Sequence, residues 1–238
     1  MRVDAIIFDV DGTLAETEEL HRRSFNDTFA AFGLDWVWDQ GLYRTLLDVT
    51  GGKERIRHFV ATYEPPGGTA ALGEVARMHE AKTARYAELV ASGSLLLRPG
   101  IHRLVAEARQ AKVRLAIATT TSPRNVEALL HAAFGAEAGP IFEVIGAGDI
   151  VAAKKPAPDI YRYVLDRLRL PTFACIAVED SRNGLDSARA AGLPTVVTPS
   201  LYTSHQTFPG ALAVVPNLDT PPVTLALIAR WRAADPNW

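Results

Sequence analysis

Short runs of Val, Ile and Ala recur along the chain between stretches of helical spacing. Ala5–Phe8, Leu115–Ala118, Phe142–Ile145, Ala174–Val178 and Thr195–Val197 are each nearly continuous in apolar residues. Strands buried on both faces of a parallel sheet look like this. The helix signals between them are clear. Ser122-Pro123 offers an N-cap followed by proline at the first helical position, ahead of Val126, Leu129 and Leu130. Pro158 opens a helix with Ile160, Tyr161, Val164, Leu165 and Leu168 on one side, and Ala188–Ala191 closes at a C-capping Gly192. The alternation predicts an α/β fold, a doubly wound and mostly parallel sheet whose site lies at the C-terminal strand edges. Ala211–Val215 is expected as an edge strand, with the last helix as packing.

From about Ala15 to Gly93 the strand pattern is lost. Glu18–Phe32 sets Phe25, Thr28, Phe29 and Phe32 along one face and stops at Gly33. Leu42–Leu47 is a shorter piece, and Lys53–Tyr63 carries Ile56, Phe59 and Val60. Beyond the turn-forming Glu64-Pro65-Pro66-Gly67-Gly68, one long helical pattern runs from Ala70 to Val90. A helical block directly after the first strand stands over that strand's C-terminal end, and Pro99-Gly100 marks the return. The expected organisation is a core of residues 1–15 and 94–238 with a helical cap of residues 16–93 inserted into it.

Composition narrows the classes. The 238 residues are 48% hydrophobic, ample for a buried core, and the formal net charge of −2 comes with no basic run to suggest a nucleic-acid partner. No apolar run approaches a membrane span, and the first strand begins too close to Met1 for a signal or transit peptide. The one cysteine, Cys175, sits in the apolar run Phe173–Val178 and reads as a small core residue. A cytoplasmic monomer acting on a small molecule is the expectation.

The residues that carry chemistry gather at the predicted strand ends. Ile6-Ile7-Phe8-Asp9-Val10-Asp11-Gly12-Thr13-Leu14 delivers two carboxylates into a glycine turn. Gly12 lets the backbone bend, so that Asp9 and Asp11 converge at the strand's edge. Such a pair holds a divalent cation and attacks an electrophile such as phosphorus. Thr119-Thr120-Thr121 follows the strand Leu115–Ala118, where hydroxyls and free N–H groups ahead of a helix make a phosphate cradle. Lys155, in Lys154-Lys155-Pro156-Ala157-Pro158-Asp159, stands just before a helix start. Glu179-Asp180-Ser181 ends another apolar strand, where buried acids need a partner. Singly these are turn caps and solvated charges; their order along the chain is the specific part. From Thr203 onward, with Pro209, Pro216, Pro221 and Pro222, the chain carries little functional signal.

Acid pair, hydroxyl, lysine and acids again, with the DxDGTL, K-P-A-P-D and V-E-D-S strings, resemble the four motifs of the haloacid dehalogenase (HAD) superfamily. The helical cap is similar to that of its β-phosphoglucomutase-like branch. The resemblance implies a Mg²⁺-dependent phosphatase in which Asp9 becomes an aspartyl phosphate. It implies that Asp11 serves as general acid and then base. It further implies that the Asp9 carboxylate, the Asp11 main-chain carbonyl and Asp180 hold the metal, with Glu179 either a further ligand or an outer group, and that Thr119, the Thr120 N–H, Thr121 and Lys155 bind phosphoryl oxygens. The family motif puts the functional lysine directly before proline, hence Lys155 over Lys154.

The strings DVDGTLAETEELHR, TGGKERI and ATTTSPRNVEALL closely resemble the CbbY family. That likeness implies a phosphatase for xylulose 1,5-bisphosphate, a misfire product that inhibits Rubisco in the Calvin cycle, yielding xylulose 5-phosphate. It carries substrate contacts onto Glu16, His21, Gly51, Gly52, Lys53, Arg55 and one of Arg124 or Asn125; Tyr43 and Lys82 are further candidates. The residues by themselves reach a phosphorylated sugar: two glycines and alternating basic residues at a helix start suit an anion. The alternatives are a phosphosugar mutase of the β-phosphoglucomutase kind and a broad sugar-monophosphate phosphatase. A receiver-type signalling module would lack both the helical insert and the Glu179-Asp180 pair. Gly146-Ala147-Gly148 lacks the third glycine of a dinucleotide loop, and Gly51-Gly52-Lys53 lacks P-loop spacing.

Overall fold

The computed structural model describes residues 3–135 and 141–235. The strands are β1 (Ala5–Phe8), β2 (Arg114–Ala118), β3 (Val144–Gly146), β4 (Cys175–Glu179), β5 (Thr195–Val197) and β6 (Ala213–Val214). They form one sheet in the order β3-β2-β1-β4-β5-β6, and every pairing is parallel. β1 is central, with Phe8 level with Ile117 of β2 and Val178 of β4. The two loops that follow β1 and β4 therefore leave the sheet side by side.

Between β1 and β2 the chain makes α1 (Glu18–Ala31), α2 (Gln40–Leu46), α3 (Gly52–Tyr63), the single-turn α4 (Gly68–Ala71) and α5 (Val75–Leu89). The long pattern read from Ala70 to Val90 is broken: a 3₁₀ turn at Leu72–Glu74 carries Gly73, the weakest helix former of that stretch, between α4 and α5. These helices share an aromatic core of Phe25, Phe29, Trp36, Trp38, Tyr43 and Phe59, and Tyr202 from beyond β5 joins it. The chain enters and leaves the insert side by side, Ala15 bridging Leu97 and the Arg98 N–H bonding the Leu14 carbonyl at 2.8 Å.

Among the described residues the further α-helices are α6 (Ile101–Gln110), α7 (Pro123–Phe134), α8 (Asp159–Leu168), α9 (Arg182–Ala190) and α10 (Leu225–Ala234). Ile6, Phe8, Ile117 and Val178 pack against α6, α7 and α10 on one face, while Ile7, Ala116 and Ala177 pack against α8 and α9 on the other. Coverage of both faces is why these strands lack polar alternation. Ser122 caps α7 as read, accepting from the Asn125 N–H with Pro123 at the first turn. β3 starts later than the expected Phe142, because that ring turns into the core edge-on to Phe8 at 6.4 Å.

Candidate active site

The Asp9 N–H donates to the Val178 carbonyl at 3.0 Å, which holds Asp9 in line with the end of β4. Gly12 follows with φ of 79°, and a Cβ there would lie 2.3 Å from Asp180 Oδ2. Only glycine lets the loops after β1 and β4 close this far. As a result Asp9, Glu179 and Asp180 bring carboxylate oxygens within 4.8 Å of one another. Lys155 Nζ donates to Asp9 Oδ1 and Glu179 Oε1, both at 2.6 Å, and the Tyr161 hydroxyl donates to the same Glu179 oxygen at 2.5 Å. Lys154 instead reaches Asp149 at 2.8 Å and Glu54 at 3.2 Å.

Three buried carboxylates thus face one ammonium. Burial lifts Asp9 to about 8; Lys155 works against this, and Glu179 and Asp11 add to it. Burial and the charges of Asp9 and Glu179 push Asp180 well up as well. Lys155 keeps its proton, since the two carboxylates it touches outweigh the effect of its own burial. The cluster is short of positive charge, and Glu179 Oε2 finds no hydrogen-bond partner among the described residues. An all-oxygen donor set with surplus negative charge fits a hard divalent cation such as Mg²⁺. Asp9 and Asp180 line the open cleft, whereas Glu179 is fully buried behind them with one oxygen already held by Lys155 and Tyr161.

Asp11 faces the insert. Its Oδ1 accepts from Thr17 Oγ1 at 2.6 Å and meets His21 Nε2 at 2.9 Å; the other ring nitrogen of His21 meets Lys82 Nζ at 2.5 Å. Burial would raise Asp11, but the His21 charge and the hydrogen bonds from His21 and Thr17 hold it below the usual carboxylate range. Lys82 is pushed down to about 7 by burial, with Asp11 opposing and Arg55 adding to the shift. α3 begins beside these groups because its first residues are glycines. A Cβ on Gly51, at φ of 98°, would meet Glu54 at 2.2 Å, and one on Gly52 would meet His79 at 2.7 Å. Burial and the charges of Lys82, Lys53 and Lys154 push His79 down to about 4.

One cleft brings together Asp9, Asp11, Thr119, Thr120, Thr121, Lys155 and Asp180 from the core with His21, Gly51, Gly52, Arg55 and Lys82 from the insert. Asn125 joins them, its Nδ2 donating to Thr121 Oγ1 at 3.1 Å, while Arg124 is exposed and does not line the cleft. Glu16, Tyr43 and Lys53 do not line the cleft. Glu16 pairs with Arg98 at 3.1 Å and Lys53 with Asp149 at 2.5 Å. Tyr43 donates to Glu18 at 2.8 Å and accepts from Arg55 at 3.1 Å. Sequence reading missed His79, Thr203 and Gln206, which do line it. Thr203 begins the stretch expected to carry little functional signal; no motif or period marks it, and only folding sets it against Asp180.

The family model of haloacid dehalogenase-like hydrolases matches residues 3–192. The chain is 56% identical to Protein CbbY of Cereibacter sphaeroides, over 88% of this chain and 90% of that one. A crystal structure of an Asp-to-Asn variant of CbbY from Rhodobacter sphaeroides, in complex with xylulose 1,5-bisphosphate, superposes with a TM-score of 0.89 at 52% identity, covering 95% of this chain and 99% of that one. A β-phosphoglucomutase from Clostridium difficile shares the fold at TM-score 0.79 and 19% identity, over 97% of this chain and 98% of that one.

Proposed function

This chain belongs to the haloacid dehalogenase-like hydrolases and is a sugar-phosphate phosphatase of their CbbY group; from that premise we propose that it hydrolyses xylulose 1,5-bisphosphate to xylulose 5-phosphate and inorganic phosphate. The observation that carries the reading is the polarity of the cleft. Asp9, Asp11 and Asp180 outnumber Lys155 on the core side, while Arg55, Lys82 and the α3 N-terminus outnumber Glu18 on the insert side. A substrate with two phosphates satisfies both, one phosphate beside a cation on the core carboxylates and one on the insert's cations. Residues 16–93 then act as a cap that closes over the sugar and excludes water.

Asp9 and Asp180 would hold Mg²⁺, which when bound withdraws charge from the phosphoryl oxygens. Lys155, the Thr119 hydroxyl and the Thr120 N–H hold the same group, and such fixed positive charge favours a loose transition state. The Asp9 carboxylate forms a bond to phosphorus as the bond from phosphorus to the sugar oxygen breaks, and Asp11 gives that oxygen a proton. Asp11 then takes a proton from water; the water oxygen bonds phosphorus, expels Asp9 and leaves inorganic phosphate. The proton that Asp11 gives arrives by way of His21, whose far nitrogen faces Lys82, an ammonium that burial has made unusually acidic. Asn125 Oδ1, buried and without a partner among the described residues, is set to accept from a sugar hydroxyl.

Phosphate release with Mg²⁺ from xylulose 1,5-bisphosphate, ribulose 1,5-bisphosphate, glucose 1-phosphate and phosphoglycolate tests the assignment. Losing one phosphate forfeits charge-assisted hydrogen bonds, so kcat/KM should favour the xylulose bisphosphate by about 10–100-fold over the monophosphates. Asp9→Asn should abolish release from all four. Equal or better turnover of the monophosphates, or conversion of β-glucose 1-phosphate to glucose 6-phosphate, would overturn the bisphosphate assignment.

A further inference from the structure

The turn after β5 touches both sides of the cleft through adjacent residues. Thr203 Oγ1 lies 2.8 Å from the Asp180 carbonyl and 3.1 Å from its Oδ2, sharing one proton between them, and accepts from the Ser200 N–H at 2.8 Å. Tyr202 points the other way. Its ring sits edge-on to Tyr43 at 5.7 Å within the aromatic core of the insert, and its hydroxyl donates to Glu19 Oε2 of α1 at 2.7 Å. Both side chains are buried.

The ends of the turn are fixed to the core. Arg98 Nη1 and Nη2 donate to the Thr198 and Pro199 carbonyls at 2.6 and 2.8 Å, and Nη1 also to the Gly12 carbonyl. Downstream, Gln206 Oε1 accepts from the Arg182 N–H at 2.8 Å, at the start of the helix that follows Asp180. Between these flanks the Thr203 N–H donates to the Ser200 carbonyl at 3.2 Å and its own carbonyl accepts from the Gln206 N–H at 2.9 Å. Adjacent Cα atoms are held about 3.8 Å apart, so a shift of the backbone at Tyr202 is passed to Thr203.

We propose that Tyr202 and Thr203 are positioning residues, through which docking of the helical insert sets the Asp180 carboxylate and with it the affinity for the divalent cation. The inference rests on the reading of Asp9 and Asp180 as cation ligands. Tyr202 touches neither cation ligand, and the turn joins it to Asp180 through Thr203.

The experiment is calorimetric titration of Mg²⁺ into the free protein, which needs no turnover and no particular sugar. Removing a group that orients a metal-binding carboxylate costs about ten-fold or more in affinity, and that loss is expected for Thr203→Val, with Thr203→Ser restoring the wild-type value. Tyr202→Ala should weaken Mg²⁺ about 3–10-fold, and Tyr202→Phe, which keeps the ring, about two-fold. The double variant Tyr202→Ala/Thr203→Val should bind no more weakly than Thr203→Val, because both changes act through one contact. Should Thr203→Val fail to fold by circular dichroism, the two Tyr202 variants decide. Wild-type affinity in Tyr202→Ala, or a double variant weaker by the product of the single losses, overturns the coupling. A wild-type protein that binds no Mg²⁺ overturns the cation reading itself, which is a different result.

Discussion

The two sides of the cleft make the same kind of electrostatic demand with opposite sign. On the core side, Asp9, Glu179 and Asp180 crowd together with one lysine, which touches Asp9 and Glu179, and Asp9 is lifted to about 8. On the insert side, Lys82 is pushed down to about 7 and His79 to about 4, by burial and by neighbouring cations. Neither cluster is arranged for stability, since buried like charges raise the folded state's energy. The difference lies in what relieves them. The core cluster has one built-in counter-ion, Lys155, and room for a cation. The insert cluster depends on Asp11 and Glu18, and at the rim on Asp149, an exposed carboxylate that Lys53 and Lys154 share. That contrast is what the proposed function uses, with a metal on one side and a phosphate on the other.

The contrast breaks most visibly at Lys155. Lys155→Met removes the one ammonium that touches both Asp9 and Glu179. Removing one partner of a buried ion pair costs about 3–5 kcal/mol, and for a domain of this size that is a drop in Tm of roughly 10 °C. The drop should be largest in metal-free buffer and smaller with saturating Mg²⁺, which replaces part of the lost charge. Calorimetric melts with and without Mg²⁺ read both. A Tm unchanged in metal-free buffer would show that the core cluster is not under strain.

Legibility in the sequence followed the same division. β1 and β5 were readable to the residue, since buried parallel strands are continuous apolar runs, and the cleft residues Asp9, Thr119 and Asp180 each follow such a run, whereas Lys155 was marked by its place ahead of a helix start. What decides the insert side is packing between helices, which has no short motif. The basic residues near Gly51-Gly52 were visible as a group, but not that Arg55 would enter the cleft while Lys53 turned to Asp149. Arg124 and Asn125 are neighbours on one helix turn; the Asn125 bond to Thr121 separates them, and that bond exists only once α7 is capped. Thr203 was illegible because its role depends on a turn held by Arg98, far away in the chain.

Lys82→Met tests the insert side with a smaller effect of opposite direction. The folded-state value near 7 lies below the ordinary 10.5, so between these values the folded chain binds fewer protons than the unfolded one. Wild-type stability attributable to Lys82 therefore rises as pH climbs from 7 to 10.5, and below 7 the burial penalty is present in full. Lys82→Met lacks that penalty, so the variant should exceed wild type by on the order of 2–4 kcal/mol below pH 7, with the gap closing toward pH 10.5. Urea unfolding at pH 6, 8 and 10 measures it. The same variant should raise KM for the bisphosphate about ten-fold while leaving KM for monophosphates nearly unchanged. A variant less stable than wild type at pH 6 would mean that the His21 and Asp11 contacts outweigh the cost of burial.

His79→Asn gives the smallest and sharpest reading. His79 titrates near 4 in the folded protein against an ordinary 6.5, held down first by burial and then by Lys82, Lys53 and Lys154. Between pH 6.5 and 4 the unfolded chain takes up the proton and the folded one does not, so this contribution to stability is intact above 6.5 and is lost as pH falls to 4. The wild type should lose about 1–2 kcal/mol more than His79→Asn across that window, a figure reduced for the ring's partial exposure. An anion on the insert side should partly offset the three lysines and move His79 back toward its ordinary value. Inorganic phosphate is therefore expected to shrink the difference between wild type and variant. A difference that phosphate leaves untouched would place the anion away from His79, and with it the second phosphate of the substrate.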